Sequence, residues 1–161
     1  MDVILFKPGD TAIKGESTLE GHADEIELHG YSHGVTMACT VDQSQTERTS
    51  GRSQHQDFSI SKYFDLSSVK LHEYCNKAQT LKQCTIIIGR NDNGAILPLV
   101  TYTLDEVLIS SISVSGGGDR PQESVSLNYT QIKIEYQGQK TDVSKGGTSS
   151  TTWDLKTNKA A

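Results

Sequence analysis

Five histidines, three cysteines and many serines are the side chains of this 161-residue chain that could do chemistry. His29 and His33 stand four apart, the spacing that puts two metal ligands on one face of a helix. Gly30 and Gly34 sit beside them, however, and the alternation leading up to them predicts extended chain. Four residues of strand separate the two rings by roughly 13 Å, too far to share an ion. They read as surface or hydrogen-bonded histidines. His22, Asp24 and Glu25 cluster in an expected turn and read as solvated charges. A serine nucleophile would need a base, but no Gly-x-Ser-x-Gly elbow is present and nothing ties His55 or His72 to a particular serine. Gly116-Gly117-Gly118-Asp119 lacks the spacing and the Lys-Ser/Thr of a phosphate loop, and reads as a connection between strands. Asn128-Tyr129-Thr130 has the form of a glycosylation acceptor but falls in an expected strand. Tyr129 and Tyr136 lie at strand parity and read as core or interface residues. No catalytic residue, cofactor or metal site is expected.

Cys39, Cys75 and Cys84 are odd in number and lack the close pairs of zinc sites, so they read as small apolar side chains in a reducing compartment. Fifteen basic against twenty acidic residues give a formal charge of −5. That sign, with no Lys/Arg cluster to offset it, argues against a nucleic-acid partner. Apolar runs reach only three or four residues, far short of the roughly 20 of a membrane helix, so no membrane insertion is expected. The opening Met1-Asp2-Val3-Ile4-Leu5-Phe6-Lys7-Pro8 has an acid where a signal peptide carries basic residues, which predicts no cleaved leader. The length fits one domain over residues 1–161.

The elements that must position these groups are mostly short runs of period two. Val3–Phe6 reads as a first strand, Ile26 and Leu28 mark the next, and Phe58 and Ile60 a third. Cys84–Ile88 runs into Asn91-Asp92-Asn93-Gly94, whose Asn-Gly suits a tight hairpin turn, and a partner strand follows over 97–103. Val107–Ser115 and Glu123–Tyr136 flank the glycine run. The latter changes phase, because Val125, Leu127 and Tyr129 are odd whereas Ile132, Ile134 and Tyr136 are even, so a bulge or bend is required near Thr130-Gln131. Leu71, Tyr74, Cys75 and Ala78 have helical spacing and predict one helix over about 67–79, capped by Asp65 or Ser67. Two stretches are too polar for a core, a loop over about 41–57 and a C-terminal segment over about 138–161, the latter anchored by Trp153 and Leu155. The expected fold is mainly β, a small barrel of antiparallel sheets with one α-helix packed at the side.

Several segments, in collinear order, resemble the Hcp family, the tube proteins of bacterial type VI secretion systems. They are Ile13-Lys14-Gly15-Glu16-Ser17, Glu25–Leu28 leading to Tyr31-Ser32-His33-Gly34-Val35, Gln56-Asp57-Phe58 and Lys62-Tyr63-Phe64-Asp65. Ile109–Ser113, Glu123–Tyr129 and Trp153–Asn158 continue the match. The resemblance implies a subunit that closes into a six-membered ring. Rings would stack into a tube, partner a sheath, a spike and effector proteins, and leave the bacterial cytoplasm through the apparatus without a cleaved leader. It implies a structural protein rather than an enzyme. The alternatives are an effector-binding carrier ring, or a small carbohydrate-binding or hydrolytic β domain. The family's extended loop reaches outward, so the expected ring or subunit contacts are Ser44, Gln45, Thr46, Glu47, Arg48, Thr49, Ser50, Gly51, Arg52, Ser53 and Gln54. Ser32 is expected on the lumen wall, where a small hydroxyl leaves room for cargo.

Overall fold

The computed structural model describes residues 3–39, 48, 51–139 and 145–161. Strand β1 (Val3–Lys7) lies antiparallel between β2 (Ile26–Leu28) and β7 (Leu81–Asp92). The hairpin from β7 to β8 (Ala95–Ser115) turns at Asn93 and Gly94, both at positive φ (+50° and +89°), the conformation that the Asn-Gly pair predicts. β8 is a single strand of 21 residues, not the two expected over 97–103 and 107–115. Its first half pairs with β7 and with β10 (Gln131–Gln139), and its second half, from Leu108, pairs with β9 (Gln122–Asn128). The change of partner follows Glu106, which adopts φ +50°, and a register slip lies between Ile109 and Ser111. Glu106 keeps its charge outside while the strand bends, so backbone continuity outlasts the break in apolar pattern.

β9 pairs in turn with β6 (Phe58–Tyr63), and β6 with β3 (Gly30–Ser32). The chain from Ile26 to Ser32 also changes sheets: β2 belongs with β1, β3 with β6, and at the joint His29 N–H donates to the Ser61 carbonyl at 2.9 Å. These two bent stretches give the antiparallel strands a barrel-like wrap, although the ladder itself is not closed. The phase change of the expected 123–136 strand is a full break at Tyr129-Thr130 between β9 and β10. On the outer side of β10 lie β11 (Lys145–Asp154) and the two-residue β12 (Lys159–Ala160). Much of the segment read as a polar tail is therefore sheet. Trp153 pairs with Ile132 and Ala160 and packs on the core.

The inner faces carry Phe6, Ile26, Phe58, Ile60, Ile86, Leu104, Val125 and Leu127, all out of contact with water. Helix α1 (Leu66–Lys77) covers this core with Leu71 and Tyr74. Asp65 is its N-cap: its carboxylate accepts from Ser67 N–H at 2.9 Å, and Ser68 Oγ accepts from Asp65 N–H at 3.0 Å. The helix stops at Ala78, which takes the left-handed conformation (φ +51°) and is exposed instead of closing the apolar stripe. Cys84 is buried and its thiol is pushed up to about 12 by desolvation, whereas Cys75 is half-buried and Cys39 is exposed, so only Cys84 fully fits the apolar reading.

Candidate functional site

The polar segment expected to meet neighbours leaves the fold through β4 (Val35–Thr36) and returns through β5 (Gln54–His55). These strands pair only with each other, Val35 opposite His55 and Thr36 opposite Gln54. Arg48, Gly51, Arg52 and Gln54 are exposed and Ser53 is half-buried, while Ser44, Gln45, Thr46, Glu47, Thr49 and Ser50 lie outside the described residues. Ser32 is exposed at the end of β3, opposite Ser59.

A ribbon of two residues per strand cannot stand by itself in water. Its tie to the barrel is Tyr129, 5% exposed at the break between β9 and β10. The phenol Oη lies 2.7 Å from His33 Nε2 and 3.2 Å from His55 Nδ1, and can donate to the Gln56 carbonyl at 3.3 Å. Gln56 N–H donates to the Gly34 carbonyl at 2.9 Å, closing the base of the ribbon. His33 stacks on Phe58, with ring centroids 5.6 Å apart. Desolvation holds His33 below the ordinary imidazole value, with the facing His55 adding to the effect, and desolvation also lowers His55. Burial raises the Tyr129 phenol, and the negative charge of Asp57 raises it further. That carboxylate is itself held by Ser110 Oγ at 2.6 Å and Asn128 Nδ2 at 2.9 Å.

Between the ribbon and the β10/β11 face runs a groove of about 320 Å³ whose walls include Val35, Met37, Ile132, Ile134 and Trp153, together with His33 and His55. Val35 and Met37 are about half exposed there. A second apolar patch, Phe64, Leu66 and Val69, surrounds the start of α1, with Leu66 and Val69 each 65% exposed.

Beneath that patch lies Lys62, fully buried. The three N–H groups of its Nζ are shared among four acceptors, Ser68 Oγ at 2.8 Å and, at 3.0 Å each, Glu123 Oε1, Asp65 Oδ1 and the Tyr63 carbonyl. A cation on the inner face of β6 thus joins β9 to the first turn of α1. The side chain of Glu123 is also fully buried, and its Oε2 has no partner. Neither this joint nor the Tyr129 hub was read from sequence, although a signal for the joint was there. Lys62 shares the parity of Phe58 and Ile60, and Glu123 that of Val125 and Leu127, which places two opposite charges on one apolar face.

His29 lies against the Tyr63 ring at 4.8 Å, and His72 Nδ1 meets the Ser68 carbonyl at 2.7 Å. His22 Nδ1 contacts Glu25 Oε2 at 3.0 Å with both side chains mostly enclosed, whereas Asp24 is exposed, so of the three only Asp24 fits the reading as solvated charges. Tyr129 is interior, as expected, whereas Tyr136 is half exposed. Gly116–Pro121 connects β8 to β9. Among the described residues no group of three or more His, Cys, Asp and Glu side chains could hold a metal ion. No helix of the described residues is long and apolar enough to cross a membrane.

A family model described as "Type VI secretion system effector, Hcp" matches residues 6–136. The Protein hcp1 of Pseudomonas aeruginosa is 34% identical over 158 residues, covering 96% of each chain. A solved structure described as a type six secretion system protein superposes with a TM-score of 0.90 at 26% identity over the whole of both chains. Hcp1 from Salmonella typhimurium shares the fold with a TM-score of 0.79 at 24% identity, over 99% of each chain.

Proposed function

The chain belongs to the Hcp family of type VI secretion proteins, and we propose on that ground that it is the structural subunit of the secretion system's inner tube. Six copies close into a ring, rings stack, and the tube leaves the cell with its spike and effectors. The observation that carries this reading is the similarity to the Pseudomonas aeruginosa protein along 96% of both chains. The role is architectural and not enzymatic. The chain acts as one domain, made in the bacterial cytoplasm and exported through the secretion apparatus.

A closed ring requires heterologous contacts, in which one patch binds a different patch on the next copy. The exposed apolar surface supports this, because the groove beside Val35 and Met37 and the knob of Phe64, Leu66 and Val69 lie on different elements. Each contact should bury about 1,200–2,000 Å². The segment carrying Arg48, Gly51, Arg52, Ser53 and Gln54, together with its neighbours from Ser44 to Ser50, makes the contact between rings. Ser32 faces the lumen.

Native mass spectrometry of the untagged chain tests the reading. Six copies of a 17.6 kDa chain give a species of about 106 kDa, seen as rings by negative stain. A strictly monomeric protein over a wide concentration range would overturn tube building and leave the family assignment intact.

A further inference from the structure

We infer that His33, Tyr129 and His55 form a proton-sensitive anchor that holds the β4/β5 ribbon against the barrel. The effect on ring stacking rests on the proposed tube role; the anchor itself does not. One phenol oxygen meets a nitrogen from each foot of the ribbon, His33 just before β4 and His55 in β5, and Gln56 adds a carbonyl. With both imidazoles neutral, the phenol can accept from one and donate to the other. With both protonated it must accept from both, and two cations then face one another with ring centres 6.1 Å apart.

The surroundings offer those charges no relief. From β6 the neighbour is Phe58, from β8 Tyr102, and from β3 Tyr31, which stacks on Phe58 and leans on Tyr102. The β10/β11 wall contributes Ile132, Ile134, Thr151 and Trp153, none of which titrates near neutrality. The closest carboxylate in sequence, Asp57, is already held by Ser110 and Asn128. The direction of the effect follows. Both imidazoles are lowered in the folded chain from an ordinary value of 6.5, so the unfolded or released state binds protons first. The anchor is at full strength above 6.5 and loses strength as pH falls from there through the lowered values of the folded state.

The chain's single tryptophan, Trp153, lines the groove beside both histidines and reports on the anchor directly. Its emission maximum and its quenching by acrylamide are to be followed from about pH 8 to pH 5 in the intact protein, with native mass spectrometry and sedimentation of tubes in parallel. Expected are a red shift and increased quenching below pH 6.5 and, with them, loss of stacked rings. The double variant His33→Gln/His55→Gln keeps hydrogen-bonding groups at both sites without a titrating ring, and should show neither change. Tyr129→Phe removes the hub, and should show the loosened signal already at neutral pH. A wild-type signal flat with pH, or a double variant that titrates like wild type, overturns the anchor whether or not rings form. A wild-type transition that leaves stacked rings intact overturns only the link to stacking, and the same transition in a chain that never forms rings upholds the anchor while the tube reading fails.

Discussion

Replacing Lys62 with methionine tests the joint between barrel and helix. The substitution keeps an unbranched apolar stem of similar reach and removes the ammonium, whose three N–H groups are shared among four acceptors at 2.8–3.0 Å. What remains is the Glu123 carboxylate, fully buried and without its counter-ion, and Asp65, 8% exposed, short of one partner at the helix cap. Removing one member of such a pair costs about 3–5 kcal/mol, roughly a fifth or more of a typical domain's total of about 5–15 kcal/mol. Urea unfolding at pH 7 and one fixed protein concentration reads the loss as a fall in midpoint with an unchanged slope. Two comparisons isolate the cause. Lys62→Met/Glu123→Leu removes both buried charges and should regain at least half of the loss. Lys77→Met breaks the exposed 2.6 Å pair with Glu73 and should stay within about 0.5 kcal/mol of wild type. A Lys62→Met variant within about 1 kcal/mol of wild type would refute the reasoning, since the pair could not then be desolvated as described.

Three further outcomes are expected. Deleting residues 44–50 leaves the paired feet Val35–Thr36 and Gln54–His55 in place, so the far-ultraviolet spectrum and thermal midpoint should hold while sedimentable tubes are lost; tubes at wild-type yield would count against a stacking role. Ser32→Gln enlarges an exposed side chain at the end of β3, and should spare ring mass in native spectrometry but reduce co-purification of effectors, with full retention arguing against a lumen position. With a thiol reagent near pH 8, Cys39 should react at once and Cys84, held as a buried thiol with its pKa near 12, only after denaturant is added; immediate reaction of all three cysteines would contradict the burial.

The parts of the fold legible in sequence are those in which a local pattern and a tertiary requirement coincide. Asn93-Gly94 sets a turn whatever surrounds it, Asp65 caps a helix whose Leu71 and Tyr74 face the core, and the parity change demands a bulge or bend near Thr130-Gln131, where the chain breaks fully between β9 and β10. β11 escaped because Lys145–Asp154 is nearly all Gly, Ser and Thr before Trp153; its strand state comes from the ladder that β10 offers, not from its own alternation. The unity of β8 was hidden by Asp105-Glu106, two charges that pattern reading takes as a gap but that a bent strand carries on its outer side. At the candidate site, the exposed loop followed from its polarity, whereas the Tyr129 hub joins residues 74 and 96 positions apart, a distance over which no sequence period operates.

The 21-residue β8 also has a mechanical meaning. Because one strand belongs to both sheets, with β7 and β10 along its first half and β9 along its second, a load entering at Ala95 and leaving at Ser115 runs parallel to its strand neighbours. Antiparallel ladders loaded along the strand must slide, breaking many bonds together, whereas a load across them peels one bond at a time. Each half of β8, on either side of the bend at Glu106, is therefore stiff along its own direction. A tube assembled with one of those directions along the axis of thrust would transmit a sudden push with little compression of its rings.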